Sequence, residues 1–234
     1  MLSTPRWSLL MLLLVLPIYG CVTAPSSISI MAVKSNGVER IPIKLGIYPF
    51  LSTPLSGSGY GYFSPRANVK EASLTTTRMG DNVAITPPAN TEMLITQDSQ
   101  MMTDLVSASL SSHGFSLKQL PVEMQDDKNA VANEHKSFYI SMNLLNDLRT
   151  NYGVEALALC DAFFMVVNNY GAPPEKRVVS ANIKIIDTMT LDVLAQVNLP
   201  YVAEGINFNE AATQISLSLA RLADMDVKSK GVSQ

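Results

Sequence analysis

The most regular pattern in this chain is an alternation of apolar and polar residues near its carboxyl end. Every second residue is apolar over 179–185 and again over 191–199, and a polar turn over 187–190 separates the two runs. A period of two is typical of strands with one buried face. The pattern predicts a β-hairpin whose inward-facing residues are Val179, Ala181, Ile183, Ile185, Leu191, Val193, Ala195, Val197 and Leu199.

Three further apolar runs also predict strands. The longest spans 156–169 and is apolar on both alternating faces except at Asp161, as expected for a central strand that is covered on both sides. A second spans 43–50, where Pro49 cannot continue a sheet ladder, and a third spans 115–122. Together with the hairpin, these runs indicate one mixed β-sheet of about four or five strands.

Three segments repeat apolar residues every three or four positions, which predicts amphipathic helices. Asp98 or Ser99 can cap the first helix, Ser141 the second and Asn207 or Asn209 the third, while Gly153 can end the second in a left-handed conformation. The predicted helices span 99–113, 141–152 and about 207–225. The order of strands and helices predicts a single α/β domain over 41–225, with the helices packed on the mixed sheet.

A long polar stretch, rich in Gly, Ser, Thr and Pro, interrupts this order over about 51–96. Structureless loops of this length are uncommon inside compact domains and are usually functional or disordered. Tyr60, Tyr62 and Phe63 lie among its glycines and serines, and aromatic residues on a permissive backbone often act as binding anchors. We interpret the stretch as an insert that contacts a partner or another subunit, with a disordered surface loop as the alternative.

The amino terminus has the pattern of a secretory signal over 1–20. Arg6 precedes an unbroken apolar run over 9–16, and Gly20 and Cys21 follow shortly after it. The run is too short to span a bilayer, which needs about 20 apolar residues. A basic start, a short apolar core and a small residue before a cleavage point predict an export signal.

The residues Ile-Tyr-Gly-Cys at 18–21 resemble the lipobox of bacterial lipoproteins, in which the cysteine becomes the acylated first residue. We therefore predict lipidation of Cys21, a tether over 21–40 and a polar tail over 226–234. An Asp directly after the cysteine would resemble an inner-membrane retention signal. Because Val22 occupies this position, we predict that the protein lies in the outer membrane with its domain facing the periplasm. Cleavage after Ala24 by ordinary signal peptidase, or an uncleaved signal anchor, are the alternatives.

Composition and charge narrow the classes of partner. The 234 residues include 17 basic and 20 acidic ones without a block of like charges, so no surface for nucleic acid is predicted. With Cys21 acylated, Cys160 is left without a disulfide partner, and its apolar surroundings predict a buried hydrophobic residue rather than a reactive thiol.

Candidate catalytic residues are few. His113 and His135 have no carboxylate or cysteine at metal-ligand spacing, so neither a metal nor another cofactor is predicted. Asp161 is the unusual residue, because a carboxylate in an apolar strand is costly to bury unless it is paired. It is either exposed or hydrogen-bonded at a bulge, or else an acid with a shifted pKa. We predict a protein that is not an enzyme.

The stretch from Leu144-Leu145-Asn146 through the strand at 162–166 to the hairpin at 183–194 resembles the curli-secretion lipoprotein (CsgG) family and its small relatives. The resemblance implies a domain like the amino-terminal domain of TolB, often assembled into rings at the outer membrane. A pore-forming member needs long hairpins of alternating polarity, and none is recognisable in 51–96. The resemblance therefore implies a peripheral ring or an accessory lipoprotein.

These observations predict a lipid-anchored component that assembles or binds within a cell-envelope machine for secretion, export or a surface structure. Its expected partners are the membrane, reached through the lipid, further copies of itself and other envelope proteins. Two alternatives remain: an envelope hydrolase whose acid is Asp161, and a structural lipoprotein that binds the cell wall.

Overall fold

The computed structural model describes residues 28–52, 74–87, 93–120, 138–167 and 173–225. These residues form a seven-stranded mixed sheet, a three-stranded antiparallel sheet and three helices. The strands are β1 (Met31–Lys34), β2 (Lys44–Ile47), β3 (Leu51–Ser52), β4 (Thr75–Met79), β5 (Asn82–Thr86), β6 (Ser116–Gln119), β7 (Phe138–Ser141), β8 (Ala156–Val167), β9 (Glu175–Asp187) and β10 (Val193–Leu199). The helices are α1 (Gln97–Ser112), α2 (Met142–Tyr152) and α3 (Phe208–Leu222).

The large sheet has the strand order β1-β10-β9-β8-β2-β6, and β3 pairs with β8 beyond the end of β2. β2, β3, β6 and β8 run parallel, whereas β8, β9, β10 and β1 are joined by antiparallel pairing. The predicted α/β class with a mixed sheet and packed helices is confirmed, and so is the β9–β10 hairpin. The predicted count of four or five strands is too low.

Helices α1 and α3 cover one face of the large sheet, and the first core lies between these helices and the sheet. Ala181, Ile183 and Ile185 of β9 point into this core and are at most 1% exposed. Ala195, which follows the register shift after Val193, also belongs to it, while Val193 itself is 36% exposed. The bulge turns Val193 out of the predicted inward row.

The small sheet β4-β5-β7 and helix α2 form a second layer over the opposite face of the large sheet. Its core contains Val83, Ile85 and Ile140 from the second layer and Leu157 and Leu159 from β8. Because β8 is buried by one layer on each side, its apolar residues occupy both alternating positions, as predicted.

Two of the three helices begin at a cap residue that was predicted from the sequence. Ser141 caps α2 and Asn207 caps α3, and Gly153 ends α2 at a φ of 65°, a left-handed conformation that glycine adopts without strain. The start of α1 was predicted wrongly. Its cap is Thr96, whose hydroxyl accepts from the backbone N–H of Ser99 while the Ser99 hydroxyl accepts from that of Thr96.

Three groups of short strands were not predicted. β3, β4 and β5 lie inside 51–96, so this stretch is not a structureless insert, although residues 53–73 and 88–92 lie outside the described part of the chain. β7 precedes α2, and β1 lies within the predicted tether. Each has two to five residues, too few for a clear period.

Candidate functional site

Most of the residues singled out from the sequence lie outside the residues that the structure describes. These are Cys21, Tyr60, Tyr62, Phe63 and His135. His113 is the C-cap of α1, and Cys160 is fully buried, as predicted. Burial raises the pKa of the Cys160 thiol, and the nearby Asp161 raises it further, so the thiol is held in its unreactive protonated form. Asp161 is therefore the remaining candidate for an acid within the described residues.

Asp161 lies in β8 between the two layers and is 2% exposed. Asn182 stands opposite it on β9, and its Nδ2 donates to Asp161 Oδ2 at 3.4 Å. Leu51 of β3 pairs with it on the other side. The expectation of an exposed carboxylate is wrong, because strands flank β8 on both sides and the second layer covers this face. A bulge is present, but it lies further along, between Phe163 and Phe164.

Lys184 completes a polar cluster with Asp161 and Asn182, in which Asp161 is buried and the other two side chains are partly buried. It faces the same side of β9 as Asn182, and its Nζ donates to the backbone carbonyl of Leu74 at 2.7 Å. The backbone N–H of Leu74 donates to the Asp161 carboxylate. The two charged side chains thus bind the N–H and the carbonyl of one residue, which directly precedes β4. The cluster fixes the second layer to the large sheet.

Burial shifts the pKa values of both charged side chains in the cluster. Burial raises the pKa of Asp161 to about 7, against the opposing effects of the Asn182 hydrogen bond, the Lys184 charge and the Leu74 N–H. Burial also lowers the pKa of Lys184, while the charge of Asp161 raises it. Each charge offsets part of the other's desolvation, which is the arrangement expected of a structural pair in a poorly hydrated region.

Asp161 is enclosed beside the second core rather than open to solvent. Within the described ranges, no three His, Cys, Asp or Glu side chains are grouped as metal ligands. The nearby core contains Tyr48, whose buried hydroxyl has no hydrogen-bond partner among the described residues, and burial raises its pKa to about 12, so it stays a neutral phenol. With 2% exposure, Asp161 also offers almost no surface to a substrate.

The partners of Asp161 were missed by sequence reasoning although a signal existed. Asn182 and Lys184 occupy the polar positions of the β9 alternation, for which only one buried face was predicted. A central strand has no solvent-facing side, so polar residues on it must pair with other polar groups. Asp161 on the neighbouring predicted strand was the available partner.

The raised pKa of Asp161 makes stability depend on pH in a definite direction. A carboxyl with a pKa of 3.8 when unfolded and about 7 when folded binds more protons in the folded state between these values. Its stabilising contribution is full below about pH 4 and is lost as the pH rises through about 7. We expect the wild type, relative to Asp161→Asn, to lose on the order of 3–4 kcal/mol of unfolding free energy between pH 4 and pH 8.

This difference is measurable by urea denaturation of both proteins across the pH range. Asp98→Asn is the control, since Asp98 forms an ion pair with Lys176 at the surface, where such pairs contribute little. Parallel pH profiles for the wild type and Asp161→Asn would contradict the burial of an ionisable Asp161.

A shallow cleft of 370 Å³ lies at the amino ends of β2 and β8. Its lining includes the charged residues Arg40, Lys44 and Glu155, beside Pro42, Ile43 and Gly153. Lys44 reaches the end of α2, since a Cβ built on Gly153 would lie 3.1 Å from the Lys44 Nζ. A cation at the carboxyl end of a helix stabilises the helix dipole, which accounts for Lys44 without a ligand.

No helix in the part of the chain that the structure describes is long and apolar enough to cross a membrane. No protein-family model matches the chain, and no curated protein matches it. Among solved structures, the chain is similar to a PelC dodecamer from Paraburkholderia phytofirmans at a TM-score of 0.40 and 9% identity, over 83% of this chain and 96% of that one. A variant of the same PelC gives a TM-score of 0.39 and 9% identity, over 83% and 97%. Similarity at this level assigns no function.

Proposed function

We propose that this chain is an exported lipoprotein that is anchored to the outer membrane through an acylated Cys21. Its periplasmic domain assembles or binds within a cell-envelope machine. The observation that carries the proposal is the apolar run over 9–16 followed by Ile-Tyr-Gly-Cys at 18–21. That run is long enough for export and too short to anchor the protein by itself. Two or three acyl chains on one cysteine would supply the stable attachment.

The machine is suggested by the resemblance to the CsgG family, which is closest in the hairpin over 183–194. The structure describes this hairpin as β9 and β10 within the large sheet. Members of that family assemble at the outer membrane, and the proposal extends this to self-association and to contacts with other envelope proteins. Secretion, polysaccharide export and the assembly of surface structures are the candidate processes.

Binding is a better proposal than catalysis because of the position of Asp161. The hydrolase alternative needs Asp161 to transfer a proton to a bound substrate. In the structure this carboxylate accepts hydrogen bonds from Asn182 and from the Leu74 backbone, beneath the second layer. These contacts support a structural role, and the domain is then a scaffold for binding.

We expect Cys21→Ser to leave a folded protein that no longer sediments with membranes, because the attachment is covalent lipid and no other anchor is proposed. The measurement is membrane fractionation combined with metabolic palmitate labelling. Cys160→Ser is the matched control: it also removes a cysteine, and it should keep both the label and the membrane fraction.

A wild-type protein without palmitate label that still fractionates with membranes would contradict the lipid anchor. Retention by isolated peptidoglycan would instead favour the alternative of a structural protein that binds the cell wall. Wild-type protein that is labelled but does not co-purify with any envelope protein or with itself would refute the assembly role while leaving the anchor intact.

A further inference from the structure

One edge of the large sheet carries exposed apolar side chains. Met31 and Val33 of β1 are 62% and 59% exposed. They stand opposite Asn198 and Gln196 of β10, which pair in turn with Asn182 and Lys184 of β9. Met31 and Val33 therefore lie on the face that bears Asp161. The second layer covers this face around β8, whereas α3 covers the opposite face as far as β1.

Two other edge strands, β6 and β4, expose mainly polar side chains. β6 exposes Ser116, Lys118 and Gln119, and the Lys118 ammonium lies 4.3 Å from the ring centre of Tyr152. β4, at the edge of the small sheet, exposes Arg78 among threonines, followed by Met79 at the end of the strand. Charged residues on edge strands prevent pairing with other chains. β1 is thus the edge whose outward row on this face is apolar.

The backbone of β1 also has groups directed away from the sheet. The N–H of Ser35 donates to the carbonyl of Leu194 at 2.9 Å, so Ser35 points its backbone groups towards β10. Successive residues of a strand point these groups to alternate sides. Met31 and Val33 therefore bond towards β10, and Ala32 and Lys34 point outward, where no strand within the described residues pairs with β1.

We propose that β1 pairs antiparallel with β1 of a second copy of this chain, centred on Ala32. In this register the two Ala32 residues exchange N–H to carbonyl hydrogen bonds across a two-fold axis. Met31 of each copy lies opposite Val33 of the other, so four apolar side chains meet on the open face. A two-fold contact needs one self-complementary segment, and Met31-Ala32-Val33 provides it.

The length of chain before β1 favours a second copy that is bound to the same membrane, and this step rests on the proposed lipid anchor. The ten residue-to-residue steps from Cys21 to Met31 span at most about 35 Å. Two anchored copies therefore hold β1 within one thin layer above the bilayer, which raises its effective concentration. Such help is needed, because a four-residue strand buries less than the roughly 1,200 Å² of a stable interface.

Disulfide cross-linking tests both the contact and its register. Met31→Cys and Val33→Cys chains are mixed in lipid vesicles and oxidised. Opposed residues of a non-hydrogen-bonded pair have Cα atoms about 4.5 Å apart, within the range of a disulfide. We expect the mixture to give several-fold more cross-linked dimer than Met79→Cys. Met79 is the matched control, since it is a methionine at the edge of the small sheet with 56% exposure.

A proline at Ala32 separates strand pairing from other contacts. Ala32→Pro removes the N–H that points away from the sheet and leaves the hydrogen bonds to β10 intact. Prolines are found on edge strands for the same reason. Placed in the two cysteine chains, Ala32→Pro should abolish the cross-link while the thermal midpoint stays within a few degrees. If this change unfolds the domain, Val33→Lys in the Met31→Cys chain, mixed with the Val33→Cys chain, serves instead, since it places a charge opposite Met31 of the other copy.

The same cross-linking is carried out with Cys21→Ser chains in solution at increasing concentration. If the lipid anchor is absent but the pairing is real, the cross-link grows with concentration and is still lost in Ala32→Pro. Equal yields for the mixture and for Met79→Cys in both settings would overturn the proposal. A cross-link that persists in folded Ala32→Pro would also overturn it. If lipid or another protein occupies this face instead, no dimer forms in either setting, and the proposal is again overturned.

Discussion

Ile183→Asp should unfold the domain, and it has the largest expected effect of the changes considered. Ile183 is completely buried in β9, between Cys160 of β8 and Val197 of β10. An aspartate there would place a carboxylate in the first core without a polar partner, and such a charge costs several kcal/mol or more. The total stability of a domain of this size is about 5–15 kcal/mol, so little of it would remain.

The measurement is thermal unfolding followed by circular dichroism. Met189→Asp is the control, because Met189 lies in the turn of the same hairpin and is 58% exposed. It should keep the midpoint of the wild type within a few degrees, whereas Ile183→Asp should show no cooperative transition. Equal midpoints for the two variants would mean that the assigned register of β9 is wrong.

Lys184→Met should destabilise the domain by about 1–3 kcal/mol, the range for leaving a buried polar group without its hydrogen-bond partner. The change removes the Nζ that donates to the Leu74 carbonyl and leaves Asp161 buried without its nearby positive charge. Methionine fills a similar volume, so the loss comes from the unpaired carboxylate and carbonyl rather than from a cavity. The loss should be larger at pH 8 than at pH 5, because Asp161, whose pKa is already about 7, becomes protonated at the lower pH.

Urea denaturation of Lys184→Met, Asp161→Asn and the double variant measures the coupling between the two side chains. The double variant should be more stable than Lys184→Met at pH 8, because it no longer buries an unpaired charge. Lys118→Met is the surface control, since this lysine lies over the exposed Tyr152 ring. A loss no greater than that of Lys118→Met, with no recovery in the double variant, would show that Asp161 and Lys184 are not a structural pair.

Several features could be predicted from the sequence because they depend on local periodicity. The β9–β10 hairpin and the long central strand β8 each repeat their pattern over many residues. The caps at Ser141, Gly153 and Asn207 act within one or two helical turns. Such signals do not require knowledge of distant partners, so they are readable before the fold is known.

The environment of Asp161 could not be predicted in the same way. The sequence marked the residue as unusual, but its burial depends on Leu74 and the small sheet, which come from a stretch interpreted as an insert. The same second layer partly buries Asn182 and Lys184, which then bond to Asp161 and to the Leu74 carbonyl. The second layer covers the sheet around β8 and not at β1, so the face at Met31 and Val33 is open.

The sequence by itself determined the α/β class, the main hairpin, the central strand and the proposal of export and lipidation at Cys21. The tertiary structure alone decided the seven-strand count, the short strands β1, β4, β5 and β7, and the role of the polar cluster. The physical reason is the range of the interactions involved. A long strand or helix shows its period in its own residues, whereas a four-residue strand or a buried charge is stabilised by partners far away in the chain.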